Sequence, residues 1–203
     1  MRVIESANED VVIAEFLRGE WQSTRFAGKL KKIVSKLDLA PTLIQRPNVA
    51  DAGENKWRRL VMAQFRGWGV GKELFEHFPK NVVWHEVELT KKDVSDLYTI
   101  DYSYWNEMSG DSRRVSDVAE AVRRGQLVFG VPNNNFLSAA ETWATNGIKA
   151  RIILVGKTLH GPFVVLEGHV RAVGFVLAGN HAPPLIRAYA GVSSKLDRWM
   201  KLS

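Results

Sequence analysis

Apolar and polar positions alternate along the chain with periods that change every ten to twenty residues, and each period predicts an element. Over residues 8–37, Val11, Val12, Phe16 and Leu17, then Leu30, Ile33, Val34 and Leu37, recur at helical spacing, with Gly28 as the expected interruption. Pro41 and Pro47 bracket a piece, residues 42–46, that reads as extended. Asp51 to Asn55 supplies caps for a helix carrying Trp57, Leu60, Val61 and Phe65, and the glycine-rich stretch from Arg66 to Gly71 ends it. Residues 82–89 alternate in their later half and predict a strand. After a polar break at 109–114, Val115 to Arg124 is an amphipathic helix stopped by Gly125. Phe129 to Asn135 is a connection rich in glycine and asparagine. Residues 136–145 form the next helix, with Asn146-Gly147 as its stop.

The C-terminal pattern is sharper. Two short apolar runs, 150–156 and 163–166, are separated by a turn at 157–162 and predict a hairpin. Glu167-Gly168-His169-Val170-Arg171 then leads into a helix over 170–178, closed by Gly179-Asn180. Beyond Pro183-Pro184 come a last strand at 185–190 and a tail helix near 194–201. Strands and helices in this order predict an α/β (α+β) fold: a small mixed sheet with flanking helices and a mainly helical N-terminal extension. There is no internal repeat. Residues 1–80 are expected to form the extension and residues 81–203 the α/β domain.

Composition narrows the function classes. The chain has 203 residues, 45% of them hydrophobic and 25% charged, enough to build a sizeable core. With no cysteine, disulfides, thiolate catalysis and cysteine-based zinc sites are excluded. The N-terminus lacks a signal-peptide layout, and no apolar run approaches the roughly 20 residues of a bilayer span. The expectation is a cytoplasmic protein with no membrane partner. A net charge of +6 and a pI near 9.6 favour anionic partners, nucleotide or nucleic acid. The five histidines show no metal-ligand spacing, and no Gly-x-Ser-x-Gly elbow is present.

The chemistry concentrates at residues 167–171. A glycine after an apolar strand lets backbone approach a ligand, and the unpaired amides of a helix N-terminus attract anions. Gly168, His169, Val170 and Arg171 are the expected phosphate-binding residues, Arg171 through its forked cation and His169 through a hydrogen bond or acid–base work. Glu167 is a candidate base or metal ligand, so Glu167 and His169 are the expected catalytic pair. The alternative is structural: a common turn, a capping histidine and a Glu167–Arg171 ion pair. A second candidate region is the aromatic and polar stretch 101–114. There Tyr102, Trp105, Ser112 and Arg113 could wall a pocket, by stacking on a base and reaching a phosphate. The stretch from Arg66 to Gly71 lacks the ending and preceding strand of a phosphate-binding loop and reads as a turn or lid.

The helix, glycine turn, hairpin and Gly-x-x-Arg helix start together resemble the ParB/sulfiredoxin superfamily, with specificity over residues 136–191. The Glu-Gly-His-x-Arg form is most similar to nucleotide-handling members such as ADP-dependent free-serine kinases, which carry a second histidine where this chain has Val170. The resemblance implies a small mixed sheet whose turn grips nucleotide phosphates, with ATP, ADP or CTP as ligand and magnesium (Mg2+) as companion. Lack of cysteine excludes the sulfinate chemistry of sulfiredoxins, and too few residues follow Arg171 for the DNA-binding domain expected of partition proteins. Three readings follow: an enzyme of phosphoryl transfer or nucleotide hydrolysis, such as a kinase or hydrolase; a DNA- or RNA-binding or nuclease module; and a non-catalytic ligand-binding protein.

Overall fold

The computed structural model describes residues 1–145, 147, 150–199 and 201–202. Five strands form one mixed sheet: β1 (Arg2–Ala7), β2 (Val83–Thr90), β3 (Ile152–Gly156), β4 (Phe163–Glu167) and β5 (Leu185–Val192). Their order is β1-β2-β5-β3-β4, with β3 parallel to β5 and the other neighbours antiparallel. Among the described residues nine helices surround it: α1 (Glu9–Trp21), α2 (Ala27–Lys36), α3 (Thr42–Gln45), α4 (Ala52–Arg66), α5 (Lys91–Ser95), α6 (Ser103–Ser109), α7 (Val115–Arg123), α8 (Asn134–Thr145) and α9 (His169–Ala178). None of them is long and apolar enough to cross a membrane.

Alternation along the strands sorts the core into two layers. Val87, Leu89, Ile152, Leu154, Val165, Ala188 and Ala190 meet α7, α8 and α9 on one face. Trp84, Ile153, Val155, Val164, Leu166 and Tyr189 meet α1 to α4 and Trp199 on the other. Residues 1–80 therefore contribute one edge strand and the helices that cover a whole face. The far edge, β4, is closed by Tyr98, whose N–H donates to Phe163 O at 3.0 Å and whose carbonyl accepts from Val165 N–H at 2.7 Å.

The α/β class and the C-terminal order of elements agree with the sequence reading, and the differences have local causes. The segment 8–37 is two helices, broken at 22–26 rather than at Gly28, which lies inside α2. Ser23 Oγ accepts from Phe26 N–H at 3.2 Å, a side-chain bond that competes with helix continuation. Residues 42–45 are helical rather than extended, because Pro41 (φ −54°) suits a helix start and Leu43 and Ile44 are buried by it. The polar stretch 101–114 contains α6, closed by Gly110 at φ 61°. β1 has no counterpart in the sequence reading. The tail is a 3-10 turn over Ser194–Arg198, and Met200, like Asn146 of the expected α8 stop, lies outside the described residues.

Where α8 and α9 cross, Gly174 sets the distance. A methyl group there would lie 2.6 Å from Ala139 Cβ. Gly174→Leu is expected to cost roughly 1–3 kcal/mol by overpacking, read as a lowered urea midpoint with an unchanged slope.

Candidate functional site

β4 is buried along its length, and its last residue, Glu167, is only 8% exposed. Gly168 follows at φ 97°, a left-handed conformation that turns the chain directly into α9. A methyl group at Gly168 would lie 2.8 Å from Ile152 Cγ2 and 3.0 Å from Arg171 Nη2, so the guanidinium folds back over the glycine. Arg171 pairs with Glu167 and donates to Arg151 O at 3.2 Å, while its own carbonyl accepts from Trp143 Nε1 at 2.9 Å. The first intrahelical bond runs from Ala172 N–H to Gly168 O at 2.9 Å. The amides of His169, Val170 and Arg171 have no hydrogen-bond partner among the described residues, as the first turn of a helix dictates. All four residues of the expected grip are thus brought together.

His169 is held in one state. Its Nε2 accepts from Ile100 N–H at 3.3 Å, and its ring stacks on Trp105 with centroids 4.8 Å apart and planes 15° apart. Burial, with the charges of Arg66 and Arg171 behind it, pushes its pKa down to about 3. The imidazole is neutral, with its proton on Nδ1, and serves as a hydrogen-bonding and stacking group rather than as an acid near neutral pH.

The proton-carrying groups are carboxyls, and one of them comes from α1. A methyl group at Gly19 would lie 2.9 Å from Glu167 Oε1, so α1 packs directly on that carboxylate. The next residue, Glu20, is 7% exposed. Burial and the charge of Glu167 raise its pKa to about 7, against the opposing fields of Arg66 and Arg171. Burial also raises Glu167, against the pull of Arg171. A polar seam continues along α1: Glu15 accepts from Arg151 N–H at 2.8 Å and from Arg18 at 2.6 Å, and Glu86 accepts from Arg151 and Arg187 at 2.8 and 3.2 Å. The sequence pattern does not assign Gly19, Glu20 or Arg66 to this site. Gly19 lies in the last turn of α1, where a glycine reads most simply as part of the helix stop, so the sequence does not single out its close approach.

The other expected wall residues divide. Trp105 stands at the motif. Tyr102 lies instead under Lys201, with Nζ 4.2 Å from its ring centroid. Arg113 donates to Leu202 O at 3.2 Å and lines a separate groove of about 340 Å³ with Tyr98, Lys157 and Val164. Ser112 is used at the start of α7, donating to Asp117 at 2.5 Å and accepting from Arg114 N–H at 3.1 Å. The glycine-rich loop after Arg66 caps α4 through Gly67 at φ 84°. Arg58, 1% exposed, is a structural tie that donates to Leu43 O and Asn48 O at 3.2 and 2.8 Å.

Among the described residues no three histidine, aspartate or glutamate side chains are grouped to hold a metal ion. Glu167, buried and already paired with Arg171, does not fit a resident divalent ion. Comparison with protein-family models, with curated proteins and with solved structures finds no match.

Two titrations follow with opposite signs. His169 has a folded pKa below its usual 6.5, so stability is full above pH 6.5 and is lost as pH falls toward 3. Glu20 has a folded pKa above its usual 4.5, so its contribution is full below pH 4.5 and is lost as pH rises through 7. In a proton NMR titration the His169 Cε1–H resonance is expected to stay still between pH values of about 8 and 5. A midpoint near 6.5 for that resonance would contradict the buried stack.

Proposed function

We propose that this ParB/sulfiredoxin-like protein binds a nucleotide by its phosphates at the N-terminus of α9 and acts on it by phosphoryl transfer or nucleotide hydrolysis. The observation that carries the reading is the turn at Gly168. It leaves three amides without a partner beside the guanidinium of Arg171, the combination that suits a phosphate. Phosphoryl transfer needs positioning and charge neutralisation more than covalent participation, and this small kit supplies both. Glu20, poised near neutrality, is the residue suited to take the proton of an attacking hydroxyl. Glu167 anchors Arg171, and the His169–Trp105 stack walls one side. Magnesium would arrive on the nucleotide's own phosphates.

A thermal-shift panel of ATP, ADP and CTP with magnesium tests the reading. At roughly a hundredfold excess over Kd, the cognate nucleotide is expected to raise Tm by roughly 5–10 °C. The double variant Glu167→Gln/Arg171→Gln, which leaves no unpaired buried charge, is expected to lose that shift while keeping its fold. Flat melting curves with all three nucleotides would sink the proposal. Binding to duplex or single-stranded nucleic acid with a steep loss of affinity in salt would favour the nucleic-acid reading, which the +6 charge supports.

A further inference from the structure

β1 is the outer strand of the sheet and pairs with β2 alone among the described residues, so one row of its backbone N–H and C=O groups faces outward. Tyr98 closes the far edge at β4, and no described residue does the same for β1. Residues 2–6 are exposed on both faces of the sheet. Val3 and Ile4 are 42% and 37% exposed and belong to neither core layer. A bare strand with a free edge is a template for another strand.

The charges on β1 say which strand. Its register slips between Val3 and Glu5, so Ile4 bulges out of the ladder. Arg2 stands opposite Glu88, Val3 opposite Val87 and Glu5 opposite Glu86. Opposed residues share a face and successive positions alternate, so the bulge brings Arg2 and Glu5 to one face. Glu5 has no ion-pair partner among the described residues, and Glu86, which it faces, is taken by Arg151 and Arg187. Like charges directly opposite are destabilising, so Glu5 lacks a cation. Arg2 pairs with Glu88 while its side chain stays 73% exposed.

We propose that β1 pairs antiparallel with β1 of a second copy, about a two-fold axis through the bulge and perpendicular to the sheet. Such an axis keeps the faces aligned, so each Arg2 meets the partner's Glu5, and Val3 and Ile4 of the two copies come together at the centre. The contact is isologous, every pair occurs twice, and the two sheets run on as one. A strand of another sequence would satisfy the backbone and leave Glu5 unmatched. Because Asn8 caps α1 immediately after β1, the pairing also anchors the helix that brings Gly19 and Glu20 to Glu167.

Light scattering on the full chain is expected to show the mass rise from one chain to two between about 1 and 100 µM. Glu5→Arg sets two cations against each other at both contacts and is expected to weaken the dimer at least about tenfold. Its Tm should hold or rise, because within the chain the new side chain faces Glu86 with opposite charge. Arg2→Glu should weaken the dimer equally by opposing two acids. Mixed in equal amounts, the two variants restore both contacts and are expected to form a mixed dimer, a rescue that a frayed strand would not give. A wild type that stays monomeric over this range, a dimer indifferent to Glu5→Arg, or a mixture that fails to dimerise overturns the proposal.

Discussion

A carboxylate buried at the end of a core strand is tolerated only if a cation reaches it, because desolvation of the lone charge outweighs anything else the side chain gains there. Glu167 meets that condition through Arg171, one helical turn along α9, and the rest of the site depends on the pairing. It pulls the guanidinium back across Gly168, where any side chain would collide with it. That leaves Gly168 free to hold its left-handed turn and sets the direction in which α9 starts. α1 then completes the enclosure, with Gly19 giving Glu167 room and Glu20 adding a second carboxyl.

Charge balance around this pair explains why acids and arginines alternate across the interface between α1 and the sheet. Glu15, Glu20, Glu86 and Glu167 are all buried, and Arg18, Arg151, Arg171 and Arg187 meet three of them directly. Glu20 has no ion-pair partner among the described residues, and burial, with the charge of Glu167 beside it, raises its pKa. An interior in which one such carboxyl is left to carry a proton near neutral pH is suited to acid–base work.

The C-terminal half is legible in the sequence because its signals are local. Short apolar runs between glycine and proline turns specify β3, β4 and β5, and a glycine before a histidine and arginine marks the start of α9. What is illegible depends on distant partners. β1 is exposed along nearly its whole length, so it carries no alternation and exists only because β2 pairs with it. α6 is too polar to read as a helix until Met108 and Trp105 are seen to be packed. Glu20 and Arg66 look like solvated charges, since helix periodicity cannot say which polar residues a second element will cover.

The ladder between β3 and β5, with the α1 bonds laid across it, also fixes when the molecule can become complete. Glu15 waits for Arg151, 136 positions later, and Gly19 has nothing to pack on until Glu167 exists. During synthesis the N-terminal helices therefore emerge with an apolar face and unpaired acids exposed, and they stay so until the last quarter of the chain arrives. Assembly is late and all at once. The strand whose arrival joins the two halves of the sheet is the last one, β5, which pairs with β2 on one side and β3 on the other.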